Sequence, residues 1–91
     1  MCKNCKDIIL RDSFYSSEDY LNCLDYIHDL IDTGCFNLIK KTCDLDKVID
    51  MKGTWNSDII EHIVQCAKCR KQFICFSDTY HGRGSFIENG E

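Results

Sequence analysis

Two Cys-x-x-Cys pairs, Cys2 with Cys5 and Cys66 with Cys69, constrain this chain more than any other feature. Two thiolates two residues apart can face one ion across a tight turn, and two such pairs meet the ligand count of a closed, tetrahedral four-cysteine zinc site. Residues 6–65 separate the pairs, far more chain than a compact zinc ribbon spans. A shared metal would therefore clamp the amino-terminal segment onto a distant turn and close the domain around whatever lies between. The expectation is structural Zn2+ held by Cys2, Cys5, Cys66 and Cys69, with Cys43, Cys75 and His81 as the rival ligands and Cys35 and His62 behind them.

A chain of 91 residues is expected to form one domain, 1–91, whose core leaves a thin margin of stability without an added constraint. Eight cysteines are available to supply one. The opening residues do not read as a signal peptide, and no apolar run approaches the roughly 18 residues of a membrane span. The expected setting is the cytoplasm, where cysteines are thiols, metal ligands or redox groups rather than structural disulfides. The alternative is a secreted disulfide domain from which a signal peptide has been removed.

The net charge of −4 works against non-specific attraction to a phosphate backbone. Lys68, Arg70 and Lys71 beside the second cysteine pair, with Arg83, are the closest approach to a basic patch, and cations in an acidic chain serve solubility more often than recognition.

The clearest periodic segment is residues 17–33. Ser16 and Asp19 make a capping-box-like start, Glu18 and Asp19 suit the positive end of a helix dipole, and Gly34 fits the stop. Tyr20, Leu21, Leu24, Ile27 and Ile31 recur at three- and four-residue intervals, widened by Cys23 and Leu30. The opposite side carries Asp19, Asn22, Asp25, Asp29 and Asp32, either a merely wet face or a negative surface for a basic partner. His28, at the stripe's edge, reads as a half-buried structural histidine.

Residues 35–42 read as a strand, and 44–58 as a loop with one helical turn around 45–49, anchored by Trp55. The run 59–64 suits helix or strand; its branched side chains favour strand. Residues 72–80 make its partner, so Cys66 and Cys69 fall on a hairpin turn, while Gly82 and Gly84 permit a second reversal into a short strand over 85–88. Cys23 and Cys75 read as small buried hydrophobes. The fold class expected is α+β, one principal amphipathic helix packed on a small antiparallel sheet of three or four strands, zinc-stapled at one end.

The segment 78–84, DTYHGRG, is a second constellation. Asp78 with His81 suggests hydrolytic chemistry, but no nucleophile stands at a diagnostic spacing, and Asp and Thr commonly organise turns. A binding surface of Tyr80, His81 and Arg83 fits better, since aromatic and arginine side chains anchor interfaces. A redox reading of Cys66-Ala67-Lys68-Cys69 is weak, because thioredoxin-type pairs open a helix whereas RKQFICF follows here.

The succession TCDL, then a tryptophan, then Cys-x-x-Cys-x3-Phe, then DTYHGRGSF resembles small bacterial proteins of no established activity that share a Cys-x-x-Cys knuckle and a DTYHGxGxF/W-type end. The resemblance covers about residues 34–87. It implies that Cys43, Cys66, Cys69, Tyr80, His81 and Gly82 matter, and it keeps Cys43 in play as a ligand.

Three function classes follow. The first is a cytosolic module that binds and neutralises another protein, a basic one being the complement of Asp25, Asp29 and Asp32, in the manner of immunity proteins or phage-encoded inhibitors. The second is a zinc-ribbon-like nucleic-acid or transcription-associated module, and the third a small hydrolase or redox enzyme. The order rests on size, charge and the lack of a catalytic set; oligomeric state is not legible.

Overall fold

The computed structural model describes residue 5 and residues 8–49 and 52–89. Among the described residues a single α-helix, α1 (Ser17–Asp32), precedes four strands, β1 (Phe36–Lys41), β2 (Ile59–Cys66), β3 (Gln72–Asp78) and β4 (Arg83–Glu88). The strands form one antiparallel sheet in the order β1-β2-β3-β4, and the helix covers one of its faces. The α+β class expected from the sequence is thus the observed one.

Helix α1 starts where its capping residues place it. The Ser16 hydroxyl accepts from the Asp19 amide at 3.2 Å, and the Asp19 carboxylate accepts from the Tyr15 amide at 3.0 Å and pairs with Arg11 at 3.4 Å. Gly34, at φ +81°, ends it. Tyr20, Cys23, Leu24 and Ile27 form the buried stripe, while His28 lies in solvent beside Asp32 at 3.2 Å. The expected half-burial of His28 is therefore corrected: its position on the stripe's edge faces away from the sheet.

Alternation in the strands decides the core. Ile60, Val64 and Cys66 of β2, Phe73 and Cys75 of β3, Phe86 of β4 and Phe36 of β1 point towards the helix and are buried. The Phe36, Phe73 and Phe86 rings run across the sheet with neighbouring centroids 6.0 and 6.3 Å apart. Ile39 is the extra residue of a bulge in β1, where the register steps from Leu38 opposite Val64 to Lys40 opposite Ile63. In the long β1–β2 connection a 3-10 turn, Leu45–Lys47, leads to buried Val48 and half-buried Trp55, whose ring lies 5.8 Å from that of Tyr20.

The two glycines expected to make the second reversal divide their work. Gly82 has φ +69° in the β3–β4 turn, whereas Gly84 belongs to β4 itself. A Cβ on Gly84 would stand 2.2 Å from the Phe76 carbonyl oxygen and 3.0 Å from the Phe14 ring, so this glycine admits the segment ahead of α1 to the sheet. That segment runs along β4, with Arg11 and Phe86 exchanging backbone hydrogen bonds of 2.8 Å.

These connections give the sheet two distinct ends. The β2–β3 turn, the start of β1 and the end of α1 gather at one; the β3–β4 turn and the start of α1 gather at the other.

Candidate metal centre

The β2–β3 connection is a knuckle built by its backbone. The Cys66 amide donates to the Lys71 carbonyl at 2.8 Å, and the Arg70 amide donates to the Cys66 carbonyl at 3.0 Å. Closing so tight a turn puts Arg70 at φ +67°, a conformation that favours glycine. The turn directs two further amides, of Lys68 and Cys69, at the Cys66 sulfur, at 3.4 and 3.5 Å. Two N–H groups aimed at one sulfur stabilise a thiolate more than a neutral thiol, as donors to charged acceptors do generally.

Cys5 completes the cluster. Its Sγ lies 3.5 Å from that of Cys69, and the three sulfurs of Cys5, Cys66 and Cys69 all fall within 4.8 Å of one another. Cys5 and Cys66 are buried while Cys69 is exposed at the tip. Three convergent thiols can hold a metal ion, and their softness selects thiophilic ions over magnesium or calcium. Cys2 lies outside the described residues.

The rival ligands sit elsewhere. Cys43 is half-buried in the β1–β2 connection, where burial first and then the Asp44 charge push its thiol up. Its carbonyl accepts from Nε2 of the wholly buried His62 at 2.7 Å, and desolvation holds that imidazole below its ordinary pKa. Cys75 lies mid-sheet, wholly buried in the core. Cys35 adjoins the knuckle through its carbonyl, which accepts from the Ala67 amide at 2.9 Å.

His81 is at the other end of the sheet, in the β3–β4 turn. Asp78 accepts from the His81 amide at 3.1 Å and from its ring Nδ1 at 2.7 Å, with the Arg83 guanidinium 3.8 Å away. The backbone bond first, then the ring and the guanidinium, hold the Asp78 carboxyl below the usual range. Tyr80 packs edge-on against the His81 ring at 4.9 Å and is 76% exposed. Asp25, Asp29 and Asp32 are exposed on the outer side of α1. His28, Asp29 and Asp32 place three donor atoms near one another, but all three residues are solvent-exposed, as acidic helix faces commonly are.

One surface has no counterpart in the sequence reading. Ile63, Ile74 and Ile87 lie opposite one another across β2, β3 and β4 on the sheet face turned away from the helix. Phe76, opposite Glu61 and Ser85, and Ile59, opposite Asp78, extend this apolar strip towards the Tyr80 turn. The signal was present in QFICF: consecutive apolar residues in a strand place apolar side chains on both faces.

Set against known protein families, curated proteins and solved structures, the chain matches none of them. Among the described residues no helix is long and apolar enough to cross a membrane.

Proposed function

We propose that this chain is a small zinc-stabilised protein-binding module, of the kind that neutralises another protein as immunity proteins and phage-encoded inhibitors do. The zinc reading is supported by sulfur spacing: four thiolates about 2.3 Å from a tetrahedral zinc stand about 3.8 Å apart. Cys5 and Cys69 are already at 3.5 Å, and Cys2 supplies the fourth thiolate. All positions are then taken by protein, which suits a structural metal rather than a catalytic one.

The observation that carries the binding reading is the apolar outer face of the sheet. Ile59 and Ile87 remain 43% and 40% exposed there, and the rim is polar, with Gln65, Gln72, Lys40 and Glu61 around it. An apolar centre inside a polar rim is how protein interfaces are built. Tyr80 and Arg83, at the same end as Ile59, add an exposed aromatic and a guanidinium, the residue types that anchor interfaces. Asp25, Asp29 and Asp32 are on the helix, across the molecule from this strip. In this reading the acidic helix face and the apolar sheet face are two separate contact surfaces, the first suited to a basic partner through charge and the second to apolar docking.

The nucleic-acid reading has less support. Lys71 of the knuckle is paired with Glu88 at 3.3 Å, so among the described residues of that turn Lys68 and Arg70 are the cations left for a phosphate backbone.

Metal analysis of the purified chain tests the zinc half: one zinc per chain is expected, lost in Cys66→Ser. Quantitative capture from the source cell tests the binding half, using the native chain, Ile87→Asp and Tyr80→Ala. Both variants are expected to melt within a few degrees of the native chain and to retain the partner at least about tenfold less well, as loss of an interface anchor of about 1.4 kcal/mol requires. Capture insensitive to both would sink the sheet-face reading, and retention on oligonucleotides that salt abolishes would replace it with the nucleic-acid one.

A further inference from the structure

Between the start of α1 and the β3–β4 turn lies a pocket of about 120 Å³, remote from the knuckle. Phe14, Tyr20 and Trp55 line it, with neighbouring ring centroids 5.5 and 5.8 Å apart and the ring planes inclined by 46° and 47°. They form a curved aromatic wall. Phe14 and Tyr20 belong to the core, which holds the wall in place, and Trp55 is half-buried.

The same lining contains Asp78, Thr79 and Arg83. Asp78 is 6% exposed, and the bonds from His81 that hold its carboxyl below the usual range keep it ionised. Its Oδ1 accepts from the His81 amide at 3.1 Å and its Oδ2 from the His81 ring at 2.7 Å. A carboxylate has about four acceptor sites, so each oxygen keeps one open. Arg83 takes neither: its Nε stands 3.8 Å from Oδ2, beyond hydrogen-bond reach, and its side chain is 74% exposed. The Thr79 hydroxyl gives its proton to the Ser57 carbonyl at 2.8 Å, which leaves its oxygen to accept from a ligand.

The pocket thus offers a buried negative charge, open acceptors and π faces, the complement of a flat cation rich in N–H groups. An anion at the positive end of α1 fits less well. The Ser16 hydroxyl already takes the Asp19 amide there, and the Asp19 carboxylate adds a negative charge. Size agrees with a guanidinium: a cavity of about 150 Å³ takes benzene, so about 120 Å³ takes the four heavy atoms of a guanidinium and part of an alkyl stem. One open site on each Asp78 oxygen matches its two parallel N–H groups, which a lysine ammonium lacks.

We propose that this pocket seats an arginine side chain of the partner protein, its guanidinium on the Asp78 carboxylate and against the aromatic wall. This deepens the protein-binding reading and rests on it. Asp78 stands opposite Ile59 in the strand register, so the socket borders the end of the apolar strip. Arg83 is the rival cation at its mouth, and it swings into solvent when the partner's guanidinium arrives.

Trp55 is the sole tryptophan of the chain, so its fluorescence reports on this pocket. The full chain is titrated with N-acetyl-arginine methylamide at constant ionic strength. A saturable change with a dissociation constant on the order of millimolar is expected, as for one side chain without the rest of its interface. The corresponding blocked lysine should bind at least about threefold more weakly, having no fork to match the carboxylate. Asp78→Asn should weaken arginine binding at least about tenfold, the scale of a charge-assisted pair. Arg83→Gln, an exposed change that leaves the fold intact, should strengthen it about two- to threefold by removing the rival charge. No saturation by about 50 mM blocked arginine, equal binding of blocked lysine, or weaker binding in Arg83→Gln would each overturn the proposal. Binding of methylguanidinium but not of blocked arginine would overturn it too, because the pocket would then be closed to a side chain on a backbone. So would a saturable response to inorganic phosphate that Arg83→Gln abolishes, which would make the pocket an anion site. The titration involves no partner: failed capture from the cell with arginine still bound would count against the sheet face, and capture with a silent titration against the socket.

Discussion

The sharpest perturbation of the metal centre is Cys69→Ser, because Cys69 is the exposed member of the cluster. Its side chain touches Cys5 at 3.5 Å but fills no core space, and the amide it directs at Cys66 belongs to the backbone and survives the change. In the metal-free protein the substitution should therefore cost no more than about 0.5 kcal/mol, as surface changes do. If the three sulfurs hold a metal, the loss in the loaded protein is larger. A ligand that binds only the folded chain stabilises it by RT ln(1 + [L]/Kd), about 1.4 kcal/mol per tenfold rise in free zinc above Kd and about 4.1 kcal/mol at a thousandfold excess. At roughly 0.05–0.15 kcal/mol per residue a chain of 91 residues has about 5–14 kcal/mol in all, so a metal bound at that excess would carry roughly 30–80% of it. Urea unfolding at buffered free zinc over three decades measures this. The native chain should gain about 1.4 kcal/mol per decade, and Cys69→Ser should give a flat line that meets the native curve at its metal-free limit. If the native chain is flat, or if both rise in parallel, the three sulfurs are not a metal site coupled to folding.

Other outcomes follow from single contacts. His62 is wholly buried with a depressed pKa, so the unfolded chain binds the extra proton first; stability is complete above about pH 6.5 and falls as pH drops towards the folded-state value, by up to about 1.4 kcal/mol per pH unit. Urea midpoints between pH 7.5 and 5 should show that slope in the native chain and lose it in His62→Leu. Asp78 has the opposite assignment: its depressed carboxyl gives stability present above its unfolded value near pH 3.9 and lost as pH falls through the folded one, so Asp78→Asn should flatten the most acidic limb of the same titration. Gly84→Ala should destabilise by about 3 kcal/mol or more, since the atom 2.2 Å from the new Cβ is backbone and cannot rotate away; thermal melting reads it. Ser16→Ala removes one capping bond and should cost about 1 kcal/mol by the same assay.

How far the chain could be read in advance depends on the range over which each signal acts. Helix α1 was legible to within a residue because its cap, stripe and stop are all local, and the hairpin around Cys66 and Cys69 because branched residues flank a short polar turn. Gly84 was misplaced because its role is set by Phe14, a residue remote in sequence that packs where a Cβ would stand. The knuckle's Arg70 carries no glycine-like signal for its left-handed backbone; the turn's hydrogen bonds impose it. Cys5 joining Cys66 and Cys69 could be guessed from spacing, but the separation of Cys43, Cys75 and His81 from that cluster depends on strand order and on which turn lies at which end. Neither is written in spacing.

Those two ends also decide how metal and binding surface can influence each other. β2 has eight residues, so at about 3.3 Å per residue the knuckle and the Tyr80 turn stand roughly 26 Å apart, well beyond a Debye length of about 8 Å at physiological salt. A metal held at the knuckle would therefore not act on Tyr80 or Arg83 through its field or by contact. Its influence must pass through the fraction of chains that are folded, and the apparent dissociation constant for a partner then equals the intrinsic one divided by that fraction. Stripping zinc at low temperature, where the metal-free chain remains mostly folded, should leave partner affinity within about twofold; stripping it near the metal-free melting temperature should weaken binding in step with unfolding measured by circular dichroism. A loss of affinity at low temperature with the circular dichroism unchanged would mean that the knuckle itself touches the partner, and the interface would have to move to Lys68 and Arg70.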